Sequence, residues 1–293
     1  MLMVTGANGH FAGAVIDRLR ELVGDDERIV VTTRDPDSAA GQRLASLGID
    51  VRRADFADPA SLTNAFDGVT KALIVSTVGP NDLRFQMHAN AIDAAGAAGV
   101  DHLIYTSFIN ASPEAITEHS RLVHYPTEQR LKASGATYTI LRHTVYADAV
   151  LDDLDLTLAT GEFRRPGGTT PGAYAVREDL AYSAARVLVD GCHAGRTYTE
   201  TMTESLTGDE VAAYMSDAFG ADIAYRSMPS AEWPAYVGEH MGLPPHAAQS
   251  SMYTLKAFEG GEYDLVTDDY RAITGRDPQT FPEFLAAQPS RSQ

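Results

Sequence analysis

Short β-branched runs alternate with longer amphipathic stretches through the first 145 residues. The runs predict strands over Leu2–Thr5, Arg28–Thr33, Asp50–Arg53, Ala72–Ser76, His102–Ser107 and Thr137–Leu141. Between them apolar residues recur at helical spacing. Phe11–Val23 places Val15, Ile16 and Leu19 on one face, and Ser38–Leu47 and Pro59–Phe66 predict shorter helices. Arg84–Ala98 is Ala-rich and stops at Gly99, and Pro126–Ser134 stops at Gly135. Strand–helix alternation of this kind predicts a parallel sheet with helices on both faces, in the doubly wound α/β class.

After residue 146 the rhythm changes. Asp148–Leu158 is periodic and acidic (Asp148, Asp152, Asp153, Asp155) and reads as a solvated helix face, or as a lid biased toward cationic substrates. Gly161–Gly172 holds four glycines and two prolines and reads as loop. A helix is expected over Glu178–Val189 and a short strand over Arg196–Glu200. Thr207–Phe219 reads as a helix with Thr207 as N-cap and Glu210 three residues on. Residues 223–285 are helical but irregular, broken at Trp233-Pro234 and Pro244-Pro245, and Pro289–Gln293 should fray. Trp233 and Tyr236 are expected to pack the lobe. This pattern divides the chain into a sheet domain over 1–146, rejoined by about 174–200, and a smaller, mostly helical substrate-binding lobe over 147–293.

Composition narrows the functional classes. The 293 residues are 44% apolar and 22% charged, an ordinary globular balance that excludes long disorder, collagen and coiled-coil arrays. No apolar run approaches the roughly 18 residues of a membrane helix. Forty acidic against 23 basic residues give a net charge of −17, a field that repels phosphate backbones and argues against a nucleic-acid partner. Cys192 is the single cysteine and has no intramolecular disulfide partner. Since Met1–Thr5 reads straight into a strand, leaving no room for a targeting peptide, the expected compartment is the reducing cytoplasm.

The first strand leads into Gly6-Ala7-Asn8-Gly9-His10-Phe11-Ala12-Gly13 and then a helix. Gly6 permits the tight turn, Gly9 lets backbone approach a pyrophosphate, and Ala12 or Gly13 lets the helix pack close to the sheet. The helix N-terminus then offers free N–H groups and a positive dipole end to phosphates. The Gly-x-x-Gly-x-x-Ala spacing points to a Rossmann-type domain of the extended short-chain dehydrogenase kind, and so to NAD(P). At the end of strand two, Arg34 favours the 2′-phosphate of NADPH, whereas Asp35 could face an NADH ribose. Asp55 and Phe56 follow strand three, at the adenine edge. Ser76, Thr77 and Val78 end strand four, and Thr106 and Ser107 end strand five, where hydroxyls border the cofactor crevice.

With these pieces in place the chain resembles the NmrA-like branch of the atypical short-chain dehydrogenases, on the side that holds bacterial quinone oxidoreductases and triphenylmethane reductases. The resemblance is carried by Thr5-Gly6-Ala7-Asn8-Gly9, Thr33-Arg34-Asp35-Pro36, Arg53-Ala54-Asp55-Phe56, the run 98–107, the run 134–142, and Thr274-Gly275-Arg276-Asp277-Pro278-Gln279-Thr280. It implies an N-terminal cofactor domain with a C-terminal lobe closing over the nicotinamide. It also implies Gly6, Asn8, Gly9, His10 and Phe11 as the phosphate turn, Arg34 at the 2′-phosphate, Asp55 and Phe56 at the adenine, and Ser76–Val78 beside the nicotinamide. Leu141-Arg142-His143-Thr144-Val145-Tyr146 matches the family's Leu-Arg-Asn-x-x-Tyr stretch, with His143 in place of Asn.

Tyr125-Pro126-Thr127-Glu128-Gln129 keeps the spacing of the Tyr-x-x-x-Lys pair, but Gln129 stands where the Lys would. Gln supplies no charge to activate Tyr125, although it can bind ribose hydroxyls. Alcohol dehydrogenase chemistry is therefore disfavoured. Direct hydride transfer to a quinone or a cationic dye fits better, because such acceptors are electrophilic enough to take hydride directly and the product oxygen or nitrogen can be protonated from solvent. Tyr125, Phe108 and Tyr146 are candidates to line the slot, and His143 or His124 to donate a hydrogen bond. His119-x4-His124 lacks metal-ligand spacing, and no metal site is expected. No Gly-x-Ser-x-Gly elbow points to a hydrolase. Two other readings stay open: a dinucleotide-binding redox sensor without chemistry, which Gln129 would suit, and a biosynthetic carbonyl or enone reductase. The helix over 84–98 either covers the sheet or forms a homodimer interface.

Overall fold

Strands and helices alternate from the first residues of the computed structural model, which describes residues 1–24 and 27–288. In chain order they are β1 (Leu2–Val4), α1 (His10–Val23), β2 (Ile29–Thr33), α2 (Ala39–Ser46), β3 (Asp50–Arg53), α3 (Pro59–Leu62), β4 (Lys71–Ile74), α4 (Asn81–Ala97), β5 (His102–Phe108), α5 (Tyr125–Lys132) and β6 (Thr137–His143). The second half adds β7 (Val145–Tyr146), α6 (Leu154–Thr160), β8 (Glu162–Arg165), β9 (Gly172–Ala175), α7 (Arg177–Val189), β10 (Arg196–Glu200), β11 (Ser205–Leu206), α8 (Gly208–Phe219), β12 (Ala224–Ser227), α9 (Trp233–His240), α10 (Pro245–Glu259), α11 (Asp269–Thr274) and α12 (Phe281–Ala286). Pro289–Gln293, expected to fray, lies outside the described residues.

Seven strands form one sheet in the order β10-β6-β5-β4-β1-β2-β3. Every pairing in it is parallel. This is the Rossmann-type doubly wound sheet that the alternation predicted. Because side chains alternate across a strand, each central strand feeds two cores. Leu2, Val4, Leu73 and Ile104 face α1 and α7, where Val15, Ile16 and Leu19 meet Leu180, Ala181 and Leu188. Met3, Ala72, Ile74 and Tyr105 face the other way, onto Phe66, Ile92 and Leu131. Each large apolar side chain so buried contributes about 1.5–3 kcal/mol. Strand order reverses between β1 and β4, and the crevice at that switch point is where such sheets bind ligands.

Beyond β6 a three-stranded sheet, β11-β9-β7, and a two-stranded pair, β12-β8, are surrounded by helices. Thr207 caps α8 and shares a capping box with Glu210. The loop expected over Gly161–Gly172 is a correction: β8 occupies residues 162–165 and β9 begins at Gly172. The period-two signal is masked because one inward side chain of β8 is charged. Phe163 and Arg165 both point in, and Arg165 is paired with Asp153 at 2.6 Å and lies over the rings of Phe163 and Trp233. Gly172 is glycine because the Phe258 ring sits 2.1 Å from where a Cβ would be. The same ion pair revises the acidic run: Asp153 is buried and Asp148 pairs with Arg177 at 3.4 Å, so neither simply faces solvent. Trp233 is buried and stacks on Tyr236. Among the described residues no helix is long and apolar enough to cross a membrane.

Candidate active site

At the end of β1 the chain turns through Gly6, whose φ of +70° belongs to the left-handed region that glycine tolerates. Gly9 is the N-cap of α1 and has no side-chain cap, and the first turn of the helix holds no acid. Its N–H groups are therefore left for an external anion. A Cβ on Gly9 would come within 3.3 Å of the Gly6 carbonyl, so only glycine keeps this cradle open. Asn8, Gly9 and His10 are exposed around it. Phe11 turns inward, edge-on to His143 at 5.1 Å and stacked on Tyr146 at 6.5 Å. The structure thus brings together three residues from two distant sequence segments.

The tip of β2 separates the two cofactor-selecting candidates. Asp35 receives the amide of Asp37 on its carboxylate, closing a local turn. Arg34 is exposed and has no ion pair among the described residues. Asp55 likewise closes its own turn, accepting from the amide of Ala57. The Phe56 ring is buried in the core beside α3.

The ends of β4 and β5 are joined by hydroxyls. Thr106 Oγ1 accepts from the Ser76 amide at 2.8 Å. The Thr77 amide donates to His88 Nε2 at 2.9 Å. Ser107 Oγ donates to Glu128 at 2.7 Å. Val78 projects into solvent, 92% exposed. Behind this loop lies a buried polar cluster that the sequence did not reveal. Tyr105 Oη stands 3.2 Å from His88 Nδ1 and 2.9 Å from His124 Nδ1. Arg84 reaches Ser76 Oγ at 3.1 Å. Burial, reinforced by the Arg84 charge, pushes His88 and His119 down to about 3 and His124 well below its ordinary range, so all three are neutral. Phe108 packs edge-on to His119 at 4.6 Å and lies 6.0 Å from both His124 and Tyr263 of the lobe.

A π-helical turn, Ser120–His124, runs directly into α5. It buries His124 and leaves the next residue, Tyr125, partly exposed with no side-chain hydrogen bond among the described residues. Gln129 is exposed on α5, and no hydrogen bond links it to Tyr125. The residues between them that turn inward are Thr127 and Glu128, both wholly buried; Glu128 carries the charge. Its carboxylate takes Arg142 Nε at 2.8 Å and Nη2 at 2.7 Å, and Lys132 lies 3.6 Å away.

His143 ends β6, buried, with Nδ1 3.4 Å from Tyr146 Oη. Its Nε2 faces Glu200 of β10 at 3.8 Å, too far for a hydrogen bond. Neither oxygen of Glu200 has a partner. Burial pushes Glu200 up to about 8 and His143 down to about 3, so the pair rests neutral at pH 7. A signal for the missed cluster did exist: Arg84 and His88 lie four residues apart at the head of the helix after β4, hence on one face. Inside the lobe, Val145, Phe163, Tyr174 and Phe258 border a cavity of about 40 Å³, room for a water and not for a planar acceptor. Among the described residues no group of three His, Cys, Asp or Glu side chains is placed to hold a metal.

A doubly wound sheet, an open glycine cradle at its switch point and a lobe over the carboxyl ends define a Rossmann-type dinucleotide-binding protein. The sequence model of the NmrA-like family matches residues 1–285, and the chain belongs to that family. It is similar to quinone oxidoreductase 2 of Escherichia coli (strain K12), 34% identical over 267 residues that cover 90% of each chain. It is also similar to an NAD(P)H azoreductase of Xenophilus azovorans, 28% identical across 98% of this chain and 97% of the relative. Its structure superposes on that of Citrobacter sp. triphenylmethane reductase complexed with NADP(H), with a TM-score of 0.91 at 29% identity, covering 97% of this chain and 99% of the other. The E. coli quinone oxidoreductase complexed with NADPH gives a TM-score of 0.90 at 31% identity, over 98% and 99% of the two chains.

Proposed function

We propose that this chain reduces a quinone or a related planar electrophile by direct hydride transfer from NADPH. That it is an NAD(P)H-dependent oxidoreductase follows from its full-length similarity to the quinone oxidoreductase and the azoreductase, and from the NADP(H) and NADPH held by the two solved relatives. The single observation that carries the choice of NADPH within this chain is the unpaired Arg34 at the tip of β2, beside an Asp35 already engaged in its own turn.

NADPH, when bound, supplies the hydride. The Gly6–Phe11 turn and the free N–H groups of α1 hold the pyrophosphate, with Gly9 leaving room for it. Arg34 pairs with the 2′-phosphate, and Asp55 and Phe56 border the adenine. Ser76, Thr77 and Val78 flank the nicotinamide. Thr106 and Ser107 shape that loop, their hydroxyls committed to the Ser76 amide and to Glu128. Phe108 and Tyr146 wall the acceptor slot, with Tyr125 at its rim and His143 beneath. Gln129 is read as a ribose contact that supplies no charge. No side chain need act as a strong acid, since a reduced quinone takes its last proton from water. In this reading residues 1–146, rejoined by 174–200, form the cofactor unit, and the rest of 147–293 closes over the acceptor. The reducing cytoplasm suits a chain with one cysteine, and α4 is a candidate homodimer face.

The test is NADPH consumption by the purified protein against a panel of quinones, azo and triphenylmethane dyes and enones, with NADH in parallel. Rapid oxidation with quinones and slower use of NADH support the reading. Tight NADPH binding with no turnover on any acceptor would overturn it in favour of a dinucleotide sensor.

A further inference from the structure

Arg84 carries a charge that nothing in the fold balances. No carboxylate pairs with it among the described residues, and its buried Nε has no partner at all. Its neighbours are neutral: Asn81 Oδ1 at 3.4 Å, Ser76 Oγ at 3.1 Å and His124 Nε2 at 3.5 Å, with His88, His119 and Tyr105 around them. The acid behind Tyr105, Glu128, is already matched by Arg142 and Lys132. A guanidinium stays charged at any working pH, so it cannot relieve its burial by losing a proton. A half-buried cation with a buried, unpartnered Nε and no acid beside it is costly, and such a group persists where an anion completes it for part of the time.

The hydrogen bonds around it assign the histidine tautomers. The Thr77 amide donates to His88 Nε2, which places the His88 proton on Nδ1. Thr127 Oγ1, whose own hydrogen goes to the Val123 carbonyl, accepts from that Nδ1. The shortest contact of Tyr105 Oη, 2.9 Å to His124 Nδ1, assigns that nitrogen as the acceptor for its hydrogen. His124 consequently carries its proton on Nε2. Arg84 Nη2 gives one hydrogen to Ser76 Oγ at 3.1 Å; its other hydrogen and His124 Nε2–H, whose nitrogens stand 3.5 Å apart, have no acceptor between them. Two convergent donors, pre-set by a buried network and lacking an acceptor, are the arrangement that stabilises an oxyanion.

We propose that Arg84 and His124 together receive the negative oxygen of a reduced acceptor, which specifies acceptors whose reduction places charge on oxygen. This rests on the hydride-transfer reading and names its acceptor class. A quinone that gains a hydride gains two electrons and one proton and becomes a hydroquinone monoanion. Its charged oxygen would sit against Arg84 Nη2 and His124 Nε2–H until a proton from water completes the hydroquinone. An azo or triphenylmethane acceptor places its electrons on nitrogen or carbon and gains less from this pair.

The experiment uses the full-length protein, with and without NADP⁺, and 4-nitrophenol as an oxyanion probe read by absorbance. The wild type should bind the phenolate over the phenol and lower the probe's apparent pKa. Arg84→Met should abolish that preference, and Arg84→Lys should keep part of it. With quinones, R84M should lose 100-fold or more in kcat while its affinity for NADPH changes less than threefold. R84M should also melt no lower than the wild type, because a half-buried charge without an acid has been removed; a structural cation would show the opposite. Unchanged phenolate binding in R84M, or a kcat within threefold of wild type, would overturn the proposal. A protein that turns over no quinone but shows the Arg84-dependent phenolate shift refutes the reductase reading and leaves the oxyanion site standing.

Discussion

Two arginines flank β5 at the carboxyl end of the sheet, and they live in opposite circumstances. Arg142 meets a fully buried Glu128 through two hydrogen bonds, with Ser107 and Lys132 completing the carboxylate. Arg84, one strand away, meets only hydroxyl, amide and imidazole groups. The first arrangement ties α5 to β5 and β6 and has no capacity left for a ligand. The second is electrostatically incomplete in the free protein. Matched charge at this end of the sheet holds the fold together; the half-buried charge without an acid marks the place where an anion is proposed to bind. Glu200 extends the contrast. It is fully buried without a hydrogen bond, but a carboxyl can bind a proton and become neutral, as a guanidinium cannot.

The largest effect should come from breaking the matched pair. Glu128→Ala leaves Arg142 and Lys132 without their acid and should cost about 3–5 kcal/mol in urea unfolding. A loss under 1 kcal/mol would mean that the clamp is not structural. The unmatched acid has an effect of comparable size, but only at high pH. Glu200 has a folded pKa of about 8 against 4.5 for the unfolded chain, so the native state holds the proton more tightly. Its contribution to stability is intact below pH 4.5 and is lost as pH rises toward 8, by about 1.4 kcal/mol per pH unit. Glu200→Gln should therefore flatten that decline and melt above the wild type at pH 8, with little difference at pH 4.5. Parallel melting curves for the two proteins across this range would contradict a neutral Glu200.

A smaller effect is expected at the exposed Arg34, the proposed contact of the 2′-phosphate. Arg34→Ala should raise KM for NADPH about tenfold, roughly 1.4 kcal/mol, and leave NADH unchanged. Equal losses with both cofactors would place Arg34 away from the 2′-phosphate. Last, Thr207→Ala removes an exposed cap bond to Glu210 and should cost about 1 kcal/mol of stability with no change in kinetics. That value calibrates what an ordinary surface contact is worth here beside Glu128.

The contrast also explains what could be read from the chain and what could not. The sheet was legible because β1, β2, β4 and β5 are runs of buried apolar residues and α1 shows its Val15, Ile16 and Leu19 stripe. The glycine turn was legible because its residue types answer to backbone geometry alone. β8 was hidden because Arg165 occupies an inward position, and only the fold supplies its partner Asp153. At α5 the familiar Tyr–Lys spacing drew attention to Tyr125 and Gln129. The π-helical turn before it points His124 and Glu128 inward, and no local pattern announced that turn. Tyr105 falls in the predicted strand over 102–107, with no role of its own legible there. Its hydroxyl matters only because α4 brings His88 and Arg84 to it from another part of the chain.

The sheet's edge strand has a consequence for how the molecule is made. β10 pairs with β6 although some fifty residues separate them, and α7 covers α1 from about 150 residues away. A ribosome that has released only the first 146 residues has therefore emitted a sheet with β6 as a bare edge and the Val15–Leu19 stripe in water. Such an intermediate invites pairing with other chains. Synthesis must pass residue 200 before the nucleotide half can close. The lobe strands β7, β8 and β9 are made before that point, so the two halves of the molecule finish folding together rather than in succession.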